Sequence, residues 1–241
     1  MSAIASRGAS YMDDQSFFTR MAMFIALLVV FAFAQFSLRG MVDWRAAPWT
    51  THAHGVAMLA WLAVFVAQNR LAERGQLARH RTLGRMAALL AVAIVVLGCI
   101  AGFSALTRGT QPPFFSPAFF LALTQLEALG FGGFVLAALL RRRDTEWHRR
   151  LMFGGLVLIT EPAFGRLLPM PFLGGWGGWL EVACQLGLMA ALALHDRRVL
   201  GRVHPATLWS AAIVVGIHAL VELAAVTPQV IALAARIAGT A

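Results

Sequence analysis

Charged residues are scarce in this chain of 241 residues: they make up 13% of it, whereas 59% of its residues are hydrophobic. Water-soluble domains are roughly half apolar and about a quarter charged. The chain therefore has too little polar surface to cover a water-soluble core of its size. These proportions predict a protein that crosses a membrane several times, and the length fits one bundle better than two domains.

Cysteine is rare and lysine is absent. The two cysteines, Cys99 and Cys184, lie inside apolar stretches, and the chain has no CxxC pair, which excludes a disulfide framework. It also has no CxxCH motif, so a covalently attached haem is excluded. All 20 basic residues are arginine, and the formal net charge is +9.

Seven apolar stretches are long enough to cross a bilayer as helices, which takes about 20 mostly apolar residues. These predicted spans cover residues 18–38, 52–69, 85–107, 118–140, 151–168, 176–194 and 206–226. The tail after Pro228 either extends the last span or lies along the membrane surface. We expect an all-α polytopic membrane bundle with seven transmembrane helices in a single domain, residues 1–241.

The arginines divide unequally between two sets of loops. Fifteen precede the first span or lie between spans two and three, four and five, or six and seven: Arg7, Arg20, Arg70, Arg74, Arg79, Arg81, Arg85, Arg141, Arg142, Arg143, Arg149, Arg150, Arg197, Arg198 and Arg202. Five lie on the opposite side: Arg39, Arg45, Arg108, Arg166 and Arg236. The positive-inside rule then places the amino terminus in the cytoplasm and the protein in the cell inner membrane.

The same distribution predicts the partners of the basic residues. Arginines sorted into cytoplasmic loops attract anionic lipid headgroups of the bilayer. A nucleic-acid partner is not expected, because the positive charge is divided among loops. The sequence does not indicate any protein partner.

Three of the basic loops lead into the next span through a histidine. The segments at the start of these spans have the sequences RHRTLGR, WHRRLMFGG and GRVHPATLW, and His80, His148 and His204 occupy similar positions in them. This is a weak internal repeat. A histidine beside arginines at a membrane surface typically contacts headgroups or a neighbouring loop, and the alternative is a cytoplasmic ligand or proton-entry group.

Ionisable side chains inside a membrane cost at least about 2.5–3.5 kcal/mol each and usually face the bundle interior. Counting about 1.5 Å per helical residue, six of them lie between the membrane midplane and the outer surface. They are Glu127, Glu161, Glu181, His218, Glu222 and, at the mouth, His54. This layer predicts one polar pocket that opens towards the outside.

Two local patterns refine the predicted pocket. His218 and Glu222 are four residues apart, so they share one helix face. In LITEPAFGR, Pro162 follows Glu161, removes a backbone donor and frees the carbonyl of Leu158, which predicts a kink. Arg166 lies one turn further on, where it could pair with Glu161 or with Glu181.

Imidazole and carboxylate groups together suit a first-row metal such as zinc, iron or manganese. In that hypothesis His218, Glu222, Glu181 and Glu127 are metal ligands. Glu161 is then a further ligand or the catalytic proton acceptor. The alternative is a structural layer of interhelical hydrogen bonds and Arg–Glu pairs.

Haem b is the second cofactor hypothesis, with His54 and His218 as the binding residues. A haem held by two histidines needs imidazoles on facing helices at a compatible depth. The depths of these two residues differ by about 10 Å when counted from the helical rise. A haem with a single histidine ligand is the alternative within this hypothesis.

One set of motifs resembles a known family. Gln68, Leu71 and the segment HRTLGR are followed by HRRLM at 148–152. This pattern resembles an uncharacterised family of bacterial multi-spanning membrane proteins, which is distantly similar to b-type haem membrane cytochromes. The resemblance implies a multi-spanning architecture and, through the cytochromes, transmembrane electron transfer. The chain departs from the cytochromes because it lacks paired mid-helix histidines on two facing spans.

The sequence leaves three functions open. The first is binding of a metal or haem cofactor, with redox chemistry on a lipid-soluble substrate. The second is a proton-coupled transporter or permease, in which the carboxylates carry protons and Pro162 is the hinge. The third is an accessory or assembly subunit, in which the polar layer is structural and the basic loops dock a partner.

Overall fold

The chain forms an all-α bundle in the computed structural model, which describes residues 2–240 and, from Asp14 onwards, their side chains. No strand occurs within these residues. The helices are α1 (Ser2–Leu38), α2 (Trp49–Glu73), α3 (Leu77–Thr107), α4 (Pro117–Leu140), α5 (Thr145–Leu158), α6 (Glu161–Leu167), α7 (Met170–Leu173), α8 (Gly177–Leu200), α9 (Pro205–Ala225) and α10 (Pro228–Ala238).

Six helical segments are long and apolar enough to cross a membrane. They are Asp14–Leu38 within α1, the whole of α2, α3, α4 and α9, and the segment Met170–Leu200 that ends in α8. Their outer faces carry exposed large apolar side chains, among them Leu27, Leu89 and Leu136. Such a surface is stable in lipid and not in water. The chain is therefore a multi-pass membrane protein.

The predicted fifth span, residues 151–168, is not one helix. It consists of α5 and α6, separated by Ile159 and Thr160. Arg149 near the start of α5 pairs with Asp14 at the start of the apolar part of α1. The carbonyl of Arg166 near the end of α6 accepts a hydrogen bond of 3.0 Å from Gln35 Nε2 near the end of α1. Together α5 and α6 run alongside the whole apolar length of α1.

The helices extend further on the arginine-rich side than predicted. The expected boundaries at residues 69 and 85 are replaced by a helix end at Glu73 and a helix start at Leu77. Gly75 adopts a φ of +68° between them, a backbone conformation that glycine enters without steric strain. The basic loop is therefore a tight turn, and several of its arginines belong to helix ends.

The tail after the last span forms a separate helix. Pro228 starts α10, and Ala234 of this helix packs in a small apolar cluster with Leu106 of α3 and with Ala118 and Leu121 of α4. These residues lie at the end of the bundle remote from Asp14. The tail thus folds back on the ends of α3 and α4 and does not lengthen α9.

Candidate functional site

Three of the predicted pocket residues meet inside the bundle. Glu127 comes from α4, Glu161 from α6 and Glu181 from α8, and Glu161 lies within hydrogen-bonding reach of both other carboxyl groups. Glu161 is 5% exposed and Glu181 is 1% exposed. We refer to Glu127, Glu161 and Glu181 as the carboxyl trio. No salt bridge to an arginine is formed by these three acids among the described residues, in contrast to Asp14 and Asp196, which each pair with one.

The break between α5 and α6 positions Glu161 at the start of a helix. Pro162 has no N–H, so the carbonyl of Leu158 lacks its usual helical partner. Gln185 of α8 supplies one: its Nε2 donates to the Leu158 carbonyl at 2.9 Å and to the Val157 carbonyl at 3.3 Å. The Thr160 hydroxyl also donates to the Val157 carbonyl, at 2.6 Å. The broken helix is thereby satisfied inside the protein, as a membrane requires.

Gln185 is not among the functional residues predicted from the sequence. Its signal was available, because Gln185 follows Glu181 by four residues and therefore shares its face of α8. A side-chain amide at membrane depth needs hydrogen-bond partners. Near a predicted acidic site and a predicted helix break, such an amide indicates a replacement for the missing backbone donor.

Replacing Gln185 by leucine should lower the free energy of unfolding by about 1–3 kcal/mol, because it leaves the Leu158 carbonyl buried without a donor. Unfolding in detergent, followed by circular dichroism, measures the change. The control is Leu194→Met on the exposed face of the same helix, where a change within about 0.5 kcal/mol is expected. Equal stability of the two variants would show that the carbonyl does not depend on Gln185.

One arginine acts on the carboxyl trio without joining it. The guanidinium of Arg166 lies 4.0 Å from the ring centre of Phe33 and 5.4 Å from that of Phe36, both on α1. Its Nη1 donates to the Pro162 carbonyl at 2.6 Å. From this position its positive charge acts on Glu161 and Glu181. The positive charge of Arg166 therefore compensates one negative charge of the trio, while its guanidinium remains packed on the two aromatic rings.

His218 and Glu222 form a second polar group on α9. His218 Nε2 lies 3.5 Å from Glu222 Oε1, and the side chains are 5% and 37% exposed. The His218 ring packs edge-on against Trp179, with 4.7 Å between ring centres. Gly178 permits this position, since a Cβ added there would lie 2.5 Å from the imidazole Cε1. The pair lies between α8, α9 and Phe119 of α4.

His54 lies apart from the other predicted pocket residues. A Cβ added to Gly98 of α3 would meet both the His54 ring and Ala128 of α4, which places His54 beside that face of α4. His218 contacts Phe119, nine residues before Ala128 and therefore about half a turn out of phase with it. His54 and His218 thus lie on opposite sides of α4, so they do not form the facing pair that a haem held by two histidines needs.

The predicted metal ligands are divided between two places. Glu127 and Glu181 belong to the carboxyl trio, whereas His218 and Glu222 form the pair on α9. Among the side chains that the structure describes, no three His, Cys, Asp or Glu residues form a group that could hold a metal ion. Neither the metal nor the haem hypothesis gains support from this arrangement.

The arginine-rich end of the bundle contains a buried ionic network that the sequence argument missed. Arg150 Nη2 lies 2.5 Å from Asp196 Oδ1, and both side chains are 0% exposed. Arg149 pairs with Asp14 and, at 2.5 Å, with Glu146. Arg149 and Arg150 were predicted to contact lipid headgroups from a loop. They instead lie on α5 and connect it to α1 and α8, because their partners project inwards from the helix ends.

His195 and Thr207 extend this network to further atoms of the two aspartates. His195 Nε2 lies 2.7 Å from Asp14 Oδ1, and the Thr207 hydroxyl donates to Asp196 Oδ2 at 2.5 Å. The network therefore contains groups from α1, α5, α8 and α9. We call Asp14, Glu146, Arg149, Arg150, His195, Asp196 and Thr207 the inner ionic cluster.

The three repeated histidines tie each returning helix to the helix before it. His80 Nδ1 lies 3.3 Å from the Gln68 carbonyl of α2, and His148 Nδ1 lies 2.8 Å from the Ala138 carbonyl of α4. The backbone N–H of His204 donates to Asp196 of α8 at 3.0 Å. His80 and His148 thus bond through their rings to the preceding helix, which agrees better with the predicted contact to a neighbouring segment than with the predicted headgroup contact, whereas His204 bonds through its backbone.

His204 also caps α9 through its ring. Its Nδ1 accepts a hydrogen bond of 3.1 Å from the Ala206 N–H, which requires the nitrogen to be unprotonated. Burial, together with the nearby charge of Arg150, lowers the pKa of His204 and favours that neutral form.

Comparison with known proteins adds no assignment: no protein-family model, curated protein or solved structure matches this chain.

Proposed function

We propose that this membrane protein is a proton-coupled transporter whose proton-binding site is the carboxyl trio. The observation that carries the proposal is the meeting of three carboxyl groups, from three helices, at a break in a membrane helix. A proton-coupled transporter is the second of the three functions predicted from the sequence. In that hypothesis the carboxylates carry protons and Pro162 marks the hinge.

Charge balance supports bound protons at the trio. Three carboxylates within hydrogen-bonding reach in an apolar region repel one another, so they do not all ionise together. Arg166 compensates one negative charge. The arrangement that satisfies both conditions has an ionised Glu161 that accepts hydrogen bonds from protonated Glu127 and Glu181. Such a group can take up and release protons with a small rearrangement.

The break beside the trio supports movement. Two short helices, α5 and α6, meet at Ile159 and Thr160, and side chains of Gln185 and Thr160 replace the missing backbone hydrogen bonds. Side-chain partners can be exchanged more easily than an intact helical ladder. Discontinuous helices at membrane depth are a recurrent feature of ion-binding sites in secondary transporters.

The proposed topology has seven crossings, with α5 and α6 together forming the fifth. The contacts of α5 with the start of α1 and of α6 with its end support this. The concentration of arginines at one end of the bundle supports a cytoplasmic amino terminus, an inner-membrane location and contact of the exposed arginines with anionic headgroups.

The test is a pH jump applied to the purified protein on a solid-supported membrane, which records charge displaced by proton binding without a transport substrate. The wild type should give a transient current, and Glu161→Gln should lose at least about half of the displaced charge, because the only ionised member of the trio is gone. Glu73→Gln is the matched control. That glutamate accepts a hydrogen bond of 2.7 Å from Ser16, far from the trio, and its variant should behave as wild type.

Two outcomes would contradict the proposal. Equal displaced charge in wild type and Glu161→Gln would favour an accessory subunit with a structural polar layer. A Soret band or a stoichiometric metal in the purified protein that is lost in His218→Ala would favour the cofactor hypothesis and the redox function implied by the family resemblance.

A further inference from the structure

We propose that Glu222 and His218 form the proton entrance that connects the outer surface with the carboxyl trio. This inference rests on the proposed function and adds a route to it. The two residues belong to no part of the trio, yet they lie between it and the end of the bundle remote from the inner ionic cluster.

The outer end of the route is accessible, and its inner end is buried. Glu222 lies in the last turn of α9 and is 37% exposed, whereas His218, one turn further in, is 5% exposed. Nε2 and Oε1 are 3.5 Å apart, so a small side-chain rotation brings them to hydrogen-bonding distance. A proton taken up by the carboxylate at the surface can thus pass to a buried imidazole.

The inner part of the route runs along one face of α8. The His218 ring rests on Gly178, and Glu181 follows three residues later on the same face, about 4.5 Å deeper by the helical rise. His218 Nε2 and Glu181 Oε1 are both buried and have no hydrogen-bond partner among the described residues. Buried polar atoms without a protein partner are the atoms that ordered water molecules satisfy, so the proposed route places a water molecule between them.

The groups along the proposed route are closely packed. Trp179 and Phe119 pack against the His218 ring, and Gly165 lies so close to Glu181 that a Cβ added there would be 2.6 Å from Oε1. Such packing favours transfer of protons over passage of a hydrated ion. The charged groups that face it are Glu222 at its mouth and the trio, with Arg166 behind, at its inner end.

The transfer changes only O–H and N–H bonds. Glu222 binds a proton from water and gives it to Nε2 of neutral His218, which becomes an imidazolium. Nδ1 keeps its proton, and Nε2 releases the one it received through the water molecule to Oε1 of Glu181, which passes the proton of its other oxygen to ionised Glu161. One proton enters, one ionised carboxylate is neutralised, and His218 returns to its neutral form.

The experiment compares the rate and the amplitude of the pH-jump current in His218→Gln and Glu222→Gln with those of wild type. Loss of a proton-transfer group typically slows a reaction by about 100-fold or more. We therefore expect both variants to show a current that rises about 100-fold more slowly while the total displaced charge is kept. Imidazole added to the outer solution should restore part of the rate in a His218→Gly variant, which a merely structural role would not allow.

The possible results distinguish failure of the proposed entrance from failure of the proposed function. Rates equal to wild type in both variants would overturn the entrance, and so would a loss of displaced charge, since His218 or Glu222 would then belong to the proton-binding site itself. If Glu161→Gln lowers the charge in the same series, the proposed function stands whatever happens to the entrance. If Glu161→Gln has no effect on the displaced charge, the proposed function is contradicted, and the proposed entrance is contradicted with it.

Discussion

Replacing Arg150 by methionine is expected to lower the free energy of unfolding by about 3–5 kcal/mol, the range found when one partner of a buried ion pair is removed. Asp196 has no exposed side-chain surface, and Arg150 is bonded to it through both Nε, at 2.9 Å, and Nη2, at 2.5 Å. Without the guanidinium, a carboxylate charge remains buried with only neutral donors. Unfolding in detergent, followed by circular dichroism, measures the loss.

Two further variants show whether the buried charge is the cause. In the double variant Arg150→Met with Asp196→Asn the uncompensated charge is gone, while the asparagine oxygen can still accept from the His204 N–H and the Thr207 hydroxyl. Part of the lost stability should therefore return. Arg143→Met removes an exposed arginine of the preceding turn and should change stability by less than about 0.5 kcal/mol. A double variant as unstable as the single one would assign the loss to packing.

If Arg166 keeps one carboxylate of the trio ionised, as proposed, replacing it by methionine should raise the number of protonated carboxyl groups from about two to three. The carboxylic acid C=O stretch in the infrared spectrum reports protonated acids alone. The contribution of the trio to this band is the intensity that is lost when Glu127, Glu161 or Glu181 is replaced. This contribution should grow by about half in Arg166→Met. The displaced charge in a pH jump should fall at the same time, because no ionised acid remains to accept a proton.

Arg166→Lys is the control for this experiment. It keeps a positive charge close to Glu161 and Glu181 but loses the planar group that lies on Phe33 and Phe36. Its infrared band should stay close to that of wild type even if the protein is less stable. A band that grows equally in both variants would mean that the aromatic contact, and not the charge, determines protonation of the trio.

The inner ionic cluster and the carboxyl trio lie at different depths of the same helices. The cluster joins the ends of α1, α5, α8 and α9 on the arginine-rich side, whereas the trio joins α4, α6 and α8 beyond the helix break. Ion pairs between buried partners close the inner end tightly, while the outer end has the exposed Glu222. The arginine-rich end of the bundle is therefore held by buried ion pairs, whereas the other end carries a partly exposed acid.

Several features of this protein were predictable from sequence because they depend on local chemistry. Apolar stretches of about 20 residues are long enough to cross a membrane as helices, and six of the seven predicted spans correspond to such helices. Pro162 breaks its helix because it lacks an N–H, and the spacing of His218 and Glu222 brings them together on any helix. The depth of Glu127, Glu161 and Glu181 followed from counting residues. These inferences need no knowledge of the neighbouring helices.

Only the tertiary structure decided which groups meet, because depth along a helix does not determine the rotation of that helix about its axis. Packing of side chains such as Trp61 against Phe131 fixes the rotation of α4, and in the packed bundle Glu127 meets Glu161 while His54 and His218 lie on opposite sides of α4. The buried aspartates that pair with Arg149 and Arg150 are 135 and 46 residues away in the chain. An arginine at a helix end is the same in sequence whether it faces lipid headgroups or a buried aspartate, and the packed bundle alone distinguishes the two.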